Sequence, residues 1–231
     1  MIIGIIGAMD EEIKLLKENI EIEEEVVKAT ITFYVGTLHG KEVVICKSGV
    51  GKVNAAITTQ LLVDHFSVSK LIFTGVAGAV DPNLNIGDIV ISTSAIQHDL
   101  DASALGFKKG EVPMFAYSSD FPADESLINL AKDAAKALEG VNVIKGRILS
   151  GDQFIADHQK VAELGELFEG KCVEMEGASV AHVAMLNNIP FVVIRSMSDK
   201  ANGEANVNFA EFTKLASERS FSIVNSMVDK M

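Results

Sequence analysis

Three carboxylates and one arginine stand where acid–base chemistry could be done. Glu12 follows the apolar run Met1–Gly7, Glu176 follows the short apolar segment of KCVEMEG, and Asp199 ends PFVVIRSMSD, which also carries Arg195. Each lies just past a strand-like segment, so a fold can gather them in one crevice from distant positions. Cleavage of a glycosidic bond needs such a set: an acid for the leaving group, a base for water and a binder of sugar hydroxyls. Taken singly, the same side chains also suit helix capping or first-turn electrostatics. From the residues alone, the reading reaches a small-molecule enzyme with acid–base chemistry and stops there.

Phosphate and metal motifs fit less well. SGVGKVN (48–54) superficially resembles a Walker loop, but that loop needs glycine at 46 and Ser or Thr at 53, where Cys46 and Val53 stand. GIIGAM lacks the G-x-G-x-x-G spacing of a dinucleotide fingerprint. In QHDLDAS, His98, Asp99 and Asp101 are close enough to suggest a metal site. Three mixed ligands in a polar loop are more often solvated, and neither metal nor cofactor is expected.

Positioning these residues calls for alternating strands and helices. MIIGIIG, KLIFTGVAG, GDIVISTSAI, NVIKGRILSG and PFVVIRSMSD read as buried strands, and ITFYVGTL and EVVICKS as a hairpin around His39, Gly40 and Lys41. Helices are expected after an N-cap at Asp10, over GKVNAAITTQLLVDHF, and over 125–138, 158–167, 177–187 and 209–228. Such alternation predicts an α/β fold: a single domain with a central mixed, largely parallel sheet flanked by helices.

Composition narrows the partners. The 231 residues hold 20 Lys and Arg against 32 Asp and Glu, a formal net charge of -12, which argues against nucleic-acid binding because affinity for a polyanion comes from basic side chains. Cys46 and Cys172 sit in apolar contexts and read as reduced core thiols. The apolar opening has no basic stretch before it and runs directly into acidic residues, unlike a signal peptide. No apolar run approaches the roughly 20 residues of a spanning helix. A cytoplasmic protein with no membrane partner is expected.

Seven motifs in order, GIIGAMDEE, KSGVGKVNAA, TGVAGAV, IGDIVIS, SGDQFI, VEMEGASVAHV and PFVVIRSMSD, resemble the bacterial 5'-methylthioadenosine/S-adenosylhomocysteine nucleosidases from the first residues to about Phe212. The resemblance implies one nucleosidase domain over 1–231 with the nucleoside phosphorylase type fold, assembled as a homodimer. It also implies hydrolysis of the N-glycosidic bond of adenine thionucleosides, in methionine salvage and recycling of S-adenosylmethionine by-products. On that resemblance Glu12 activates water, Asp199 protonates purine N7 with Ser198 orienting it, and Glu176 holds the ribose hydroxyls beside Met175. Phe154 and Ile155 form the base pocket, Gly78 gives a backbone contact, and Arg195 stands near the water. A 5'-thio pocket follows from Met9, Val50 and Phe209, with Ala102, Leu105, Phe107 and Pro113 supplied by the partner subunit.

Val76 stands where the family often has serine, which removes a hydroxyl near the water, and Leu105 and Phe107 replace positions often filled by Phe and Tyr. Three other readings are compatible with the motifs: a phosphorylase on the same fold, an aminodeoxyfutalosine nucleosidase, and a non-catalytic nucleoside-binding relative.

Overall fold

Burial on both faces sets the centre of the fold. Strands β1 (Ile3–Gly7), β5 (Lys70–Ala79) and β10 (Phe191–Asp199) are buried almost end to end, as parallel strands covered by helices must be. The computed structural model describes residues 1–199 and 205–231, with side chains described for 1–199 and 212–231. Around the central strands lie β2 (Glu21–Lys28), β3 (Ile31–Leu38), β4 (Lys41–Lys47), β6 (Ile89–Gln97), β7 (Phe121–Pro122), β8 (Val143–Ser150) and β9 (Gly170–Glu174). Their order is β10-β6-β8-β9-β5-β1-β4-β3-β2, and β10 also pairs with β5, so five strands close into a ring from which the others extend. The sheet is mixed: β1, β4, β5 and β10 run parallel, while β3 and β9 oppose their partners on β4 and β5.

Consecutive residues of a strand face opposite sides, and the two cores follow this alternation. Ile5, Ile72 and Val192 pack with α1 (Asp10–Asn19), α3 (Glu125–Ala135) and α6 (Ala205–Asp229). Their neighbours Ile6, Phe73 and Val193 pack with α2 (Lys52–Phe66) and α5 (Gly177–Leu186). The remaining helix, α4 (His158–Phe168), lays Val161, Leu164 and Phe168 over Leu149 and Val173.

Two irregularities prepare the crevice. β10 follows one edge of β5 from Leu71 to Gly78. Along the other edge β1 pairs with Lys70–Phe73 and β9 with Gly78–Ala79, and the intervening Thr74–Ala77 pair with neither. The β10–β5 register also shifts between Met197 and Asp199, a bulge at Ser198 that re-aims the side chains around it.

The structure departs from the sequence expectations locally. Met9, not Asp10, is the N-cap of α1; Asp10 is the first helical residue and pairs with Lys47 at 2.8 Å. The acidic stretch Glu21–Lys28 is a strand, although nearly all of it is exposed. An edge strand needs only one partner, so it shows no apolar alternation. Cys46 and Cys172 are unpaired and buried, and burial pushes both thiols up. Among the described residues no helix is long and apolar enough to cross a membrane.

Leu62, fully buried on α2, tests the packing. Leu62→Ala is expected to cost about 2–5 kcal/mol and to lower Tm by roughly 5–15 °C in thermal unfolding; an unchanged Tm would mean that α2 is held by other contacts.

Candidate active site

Where the edge of β5 passes from β1 to β9, the sheet opens a pocket of about 270 Å³, near the small end of ligand sites. Ten residues singled out in the sequence line it: Met9, Glu12, Val50, Gly78, Phe154, Ile155, Met175, Glu176, Ser198 and Asp199. The lining also includes Glu174 and Val76 and is mainly apolar elsewhere.

Glu12 sits in the first turn of α1, with its carboxylate turned back to the strand. Oε2 accepts from the amides of Ala8 (2.6 Å) and Met9 (2.9 Å), and Oε1 accepts from Val76 at 2.9 Å. The last of these is an amide of the β5 edge that neither β1 nor β9 covers. Gly75 lets the carboxylate approach, because a Cβ there would fall 2.2 Å from Oε1. Burial raises the Glu12 pKa, opposed by the Arg195 charge and by the three amides. A carboxylate lifted above its ordinary range is a better proton acceptor at neutral pH.

Glu174, at the end of β9, was not assigned a role from the sequence. Its carboxylate accepts from Arg195 Nη2 at 2.5 Å and Nε at 3.2 Å, from the Gly177 amide at 2.8 Å and from the Ser150 hydroxyl. The available signal was its spacing from Glu176, since residues two apart in an extended segment share a face. Arg195 is 1% exposed, lies 4.0 Å over the Phe73 ring and does not line the pocket. Its Nη1 and the Glu12 Oε1 both approach the space over Gly75, so the cation stands just behind the pocket lining, next to Glu12 and Glu174. With the cation engaged by Glu174, Glu176 is left with the amide of Gly51 on Oε1 at 2.7 Å. Burial, followed by the Glu174 charge, pushes Glu176 up to about 8.

Asp199 ends β10 opposite Gly78 and is almost fully buried. The Ser198 hydroxyl donates to Asp199 Oδ2 at 3.0 Å, with Ala77 O farther away at 3.4 Å. Val50 and Phe154, each about half exposed, flank the mouth. Ala102, Leu105, Phe107 and Pro113 do not line this pocket within the chain; Leu105 is 73% exposed. The side chain of Phe209 lies outside the described residues. His98 is buried beside Gly151, Asp99 pairs with Lys52, and the Asp101 carboxylate accepts the Ser103 amide.

An α/β sheet with an amide-held carboxylate, a buried ion pair and a second carboxyl across one apolar crevice has the form of an enzyme site for a small ligand. The model of the Phosphorylase superfamily matches residues 2–229, and the chain belongs to that family. Over its full length it is 44% identical to a 5'-methylthioadenosine/S-adenosylhomocysteine nucleosidase of Anoxybacillus flavithermus, covering 99% of that protein. Its structure matches the nucleosidase of that name from Neisseria meningitidis in complex with methylthio-immucillin-A, with a TM-score of 0.95 and 39% identity over 100% of this chain and 99% of that one. A futalosine hydrolase of Helicobacter pylori matches with a TM-score of 0.95 and 37% identity, over 100% and 98% of the two chains.

Gly75→Ala is expected to push the Glu12 carboxylate off its amides and lower kcat on any substrate of this site by at least about 100-fold. Circular dichroism should show the fold retained, and wild-type kcat would mean that the placement of Glu12 is not critical. Glu176 faces Glu174, Arg195, Glu12 and the Gly51 amide. Its raised pKa favours the fold below about pH 4.5, and that contribution is lost as pH rises through about 8. Glu176→Gln should therefore flatten the fall in Tm between pH 5 and 9; an unaltered Tm profile would refute the shift.

Proposed function

We propose that the protein hydrolyses the N-glycosidic bond of 5'-methylthioadenosine and S-adenosylhomocysteine, releasing adenine and the thioribose. The observation that carries this reading is the placement of two carboxyl groups along β5. Glu12 is held by Val76 and Asp199 is paired with Gly78. Two residues of strand separate these attachments by about 6.6 Å, room for a sugar with water on one face and a departing base on the other.

The roles are those that the family resemblance implies, and the positions of the residues support them. Glu12 takes the proton of the attacking water. Asp199, oriented by Ser198, protonates N7 so that adenine leaves neutral. Glu176 meets the ribose diol, and a carboxyl raised to about 8 keeps its proton at neutral pH and so offers both an acceptor oxygen and a donor O–H. Positive charge develops on the sugar in the transition state, and the surrounding carboxylates favour it. Phe154 offers a face for stacking the base, and Ile155 and Met175 shape the walls.

Phosphate is disfavoured as the nucleophile. No lysine or arginine lines the described pocket, so an incoming anion would meet Glu12 with the one nearby cation, Arg195, already paired with Glu174. A binding protein without turnover would have no use for a base held by three amides. We further propose that 1–231 act as one nucleosidase domain in a cytoplasmic homodimer serving methionine salvage. The exposed Leu105, with Ala102, Phe107 and Pro113, would close the partner's 5'-pocket.

Adenine release from methylthioadenosine without phosphate tests the reading; strict phosphate dependence would overturn it. Asp199→Asn and Glu12→Gln should each lower kcat by about 100- to 10,000-fold. Comparing methylthioadenosine, S-adenosylhomocysteine, 5'-deoxyadenosine and aminodeoxyfutalosine resolves the 5'-group, which the similarity to a futalosine hydrolase makes the open question.

A further inference from the structure

The two sequence motifs that resembled a phosphate loop and a metal site meet each other in space. Lys52, the lysine of SGVGKVN, sends Nζ to Asp99 Oδ1 of QHDLDAS at 2.7 Å. The other oxygen of Asp99 accepts from the amide of Asp152 at 2.9 Å. Asp152 in turn accepts from the amide of Lys52 at 2.8 Å through Oδ1. Three residues thus close a ring of three hydrogen bonds between the start of α2, the end of β6 and the loop after β8.

The ring sits at the root of the pocket walls. The residues that follow Asp152 are Gln153, Phe154 and Ile155, all of which line the pocket. Gly51, immediately before Lys52, donates its amide to Glu176. Consecutive amides at the start of α2 therefore hold the carboxyl on the sugar side and the loop on the base side. Close approach is built in at both contacts. Gly51 has φ +98, a conformation that favours glycine, and a Cβ there would lie 3.1 Å from Asp152 Oδ1. A Cβ on Gly151 would fall 2.5 Å from the His98 ring and 3.1 Å from the Asp99 Cβ.

The ion pair is shielded enough to matter. The side chains of Lys52 and Asp99 are 19% and 14% exposed, whereas Phe154 is 49% exposed with its loop at the pocket mouth. Burial alone would raise the Asp99 pKa, but the Lys52 hydrogen bond and the Asp152 amide bring it below the ordinary carboxylate range. Asp99 is therefore the charged anchor of the ring at neutral pH.

We propose that Lys52 and Asp99 are positioning residues that latch loop 151–155 over the base site and set it against Glu176. The identity of the base as adenine rests on the nucleosidase reading; the latch itself rests on the geometry. Neither residue lines the pocket, so each acts through the loop. A loosened loop weakens base binding in the ground and transition states alike, which raises KM and leaves kcat nearly unchanged.

The test compares Lys52→Met, Asp99→Asn and Lys52→Arg in the full chain. Hydrogen–deuterium exchange of residues 151–155 should quicken in the first two. KM for methylthioadenosine should rise about tenfold, the effect expected from one charge-assisted hydrogen bond, with kcat within about threefold. Lys52→Arg keeps the charge and should restore most of the loss. Asp99→Asn nearly preserves volume and serves as the measure should Lys52→Met fail to fold. Unchanged exchange and KM in the folded variants overturn the proposal, as does a fall in kcat at constant KM. If the wild type releases no adenine, the nucleosidase reading fails, and exchange alone decides the latch: faster supports it, unchanged overturns it.

Discussion

One cation among carboxylates governs the chemistry of this pocket. Arg195 lies in the middle of a fully buried strand, held by Glu174 and by the face of Phe73. Removing one partner of such a buried pair typically costs about 3–5 kcal/mol because the other charge is left without compensation. Its position ranks the neighbouring acids. Glu174 takes the guanidinium directly, Glu12 feels it through space, and Glu176 feels Glu174 more strongly than the arginine. Burial is the largest influence on both Glu12 and Glu176; at Glu12 the arginine charge is the first to oppose it, whereas at Glu176 the Glu174 charge adds to it.

The sheet supplies the coordinates for this ranking. Strand β5 changes neighbours partway along one edge, from β1 to β9, and the break leaves main-chain groups free for side chains to use. The bulge at Ser198 on the opposite edge turns the end of β10 into the same opening. A ladder of uniform register would have closed both, so the departures from regularity are what convert a hydrophobic sheet into a site.

Much of this was legible in the sequence because polar residues at the ends of apolar runs are conspicuous. Glu12, Glu176 and Asp199 stand out in that way, and the pocket gathers them. Glu174 did not, since it is the last residue of the short strand β9 and only two places from the more conspicuous Glu176. Gly75 carries no side chain to notice, and its role appears only once the Glu12 carboxylate is placed against β5. The charged edge strand β2 conceals itself because it buries almost nothing. Residues Ala102, Leu105, Phe107 and Pro113 were singled out only through the resemblance, and none of them lines the pocket of this chain. Lys52 and Asp99 were noticed for chemistries they do not match, because spacing reports that residues are reactive and not what they face.

Glu12 has a further property that its hydrogen bonds make plain. All three of its donors are backbone amides, from Ala8, Met9 and Val76. An amide survives every side-chain replacement except proline, so valine at position 76 forfeits nothing that holds the Glu12 carboxylate. The cradle is written in the path of the chain rather than in its letters. Replacing the side chains at those three positions leaves the donors of Glu12 in place, whereas a side chain on Gly75 would occupy the space its carboxylate needs.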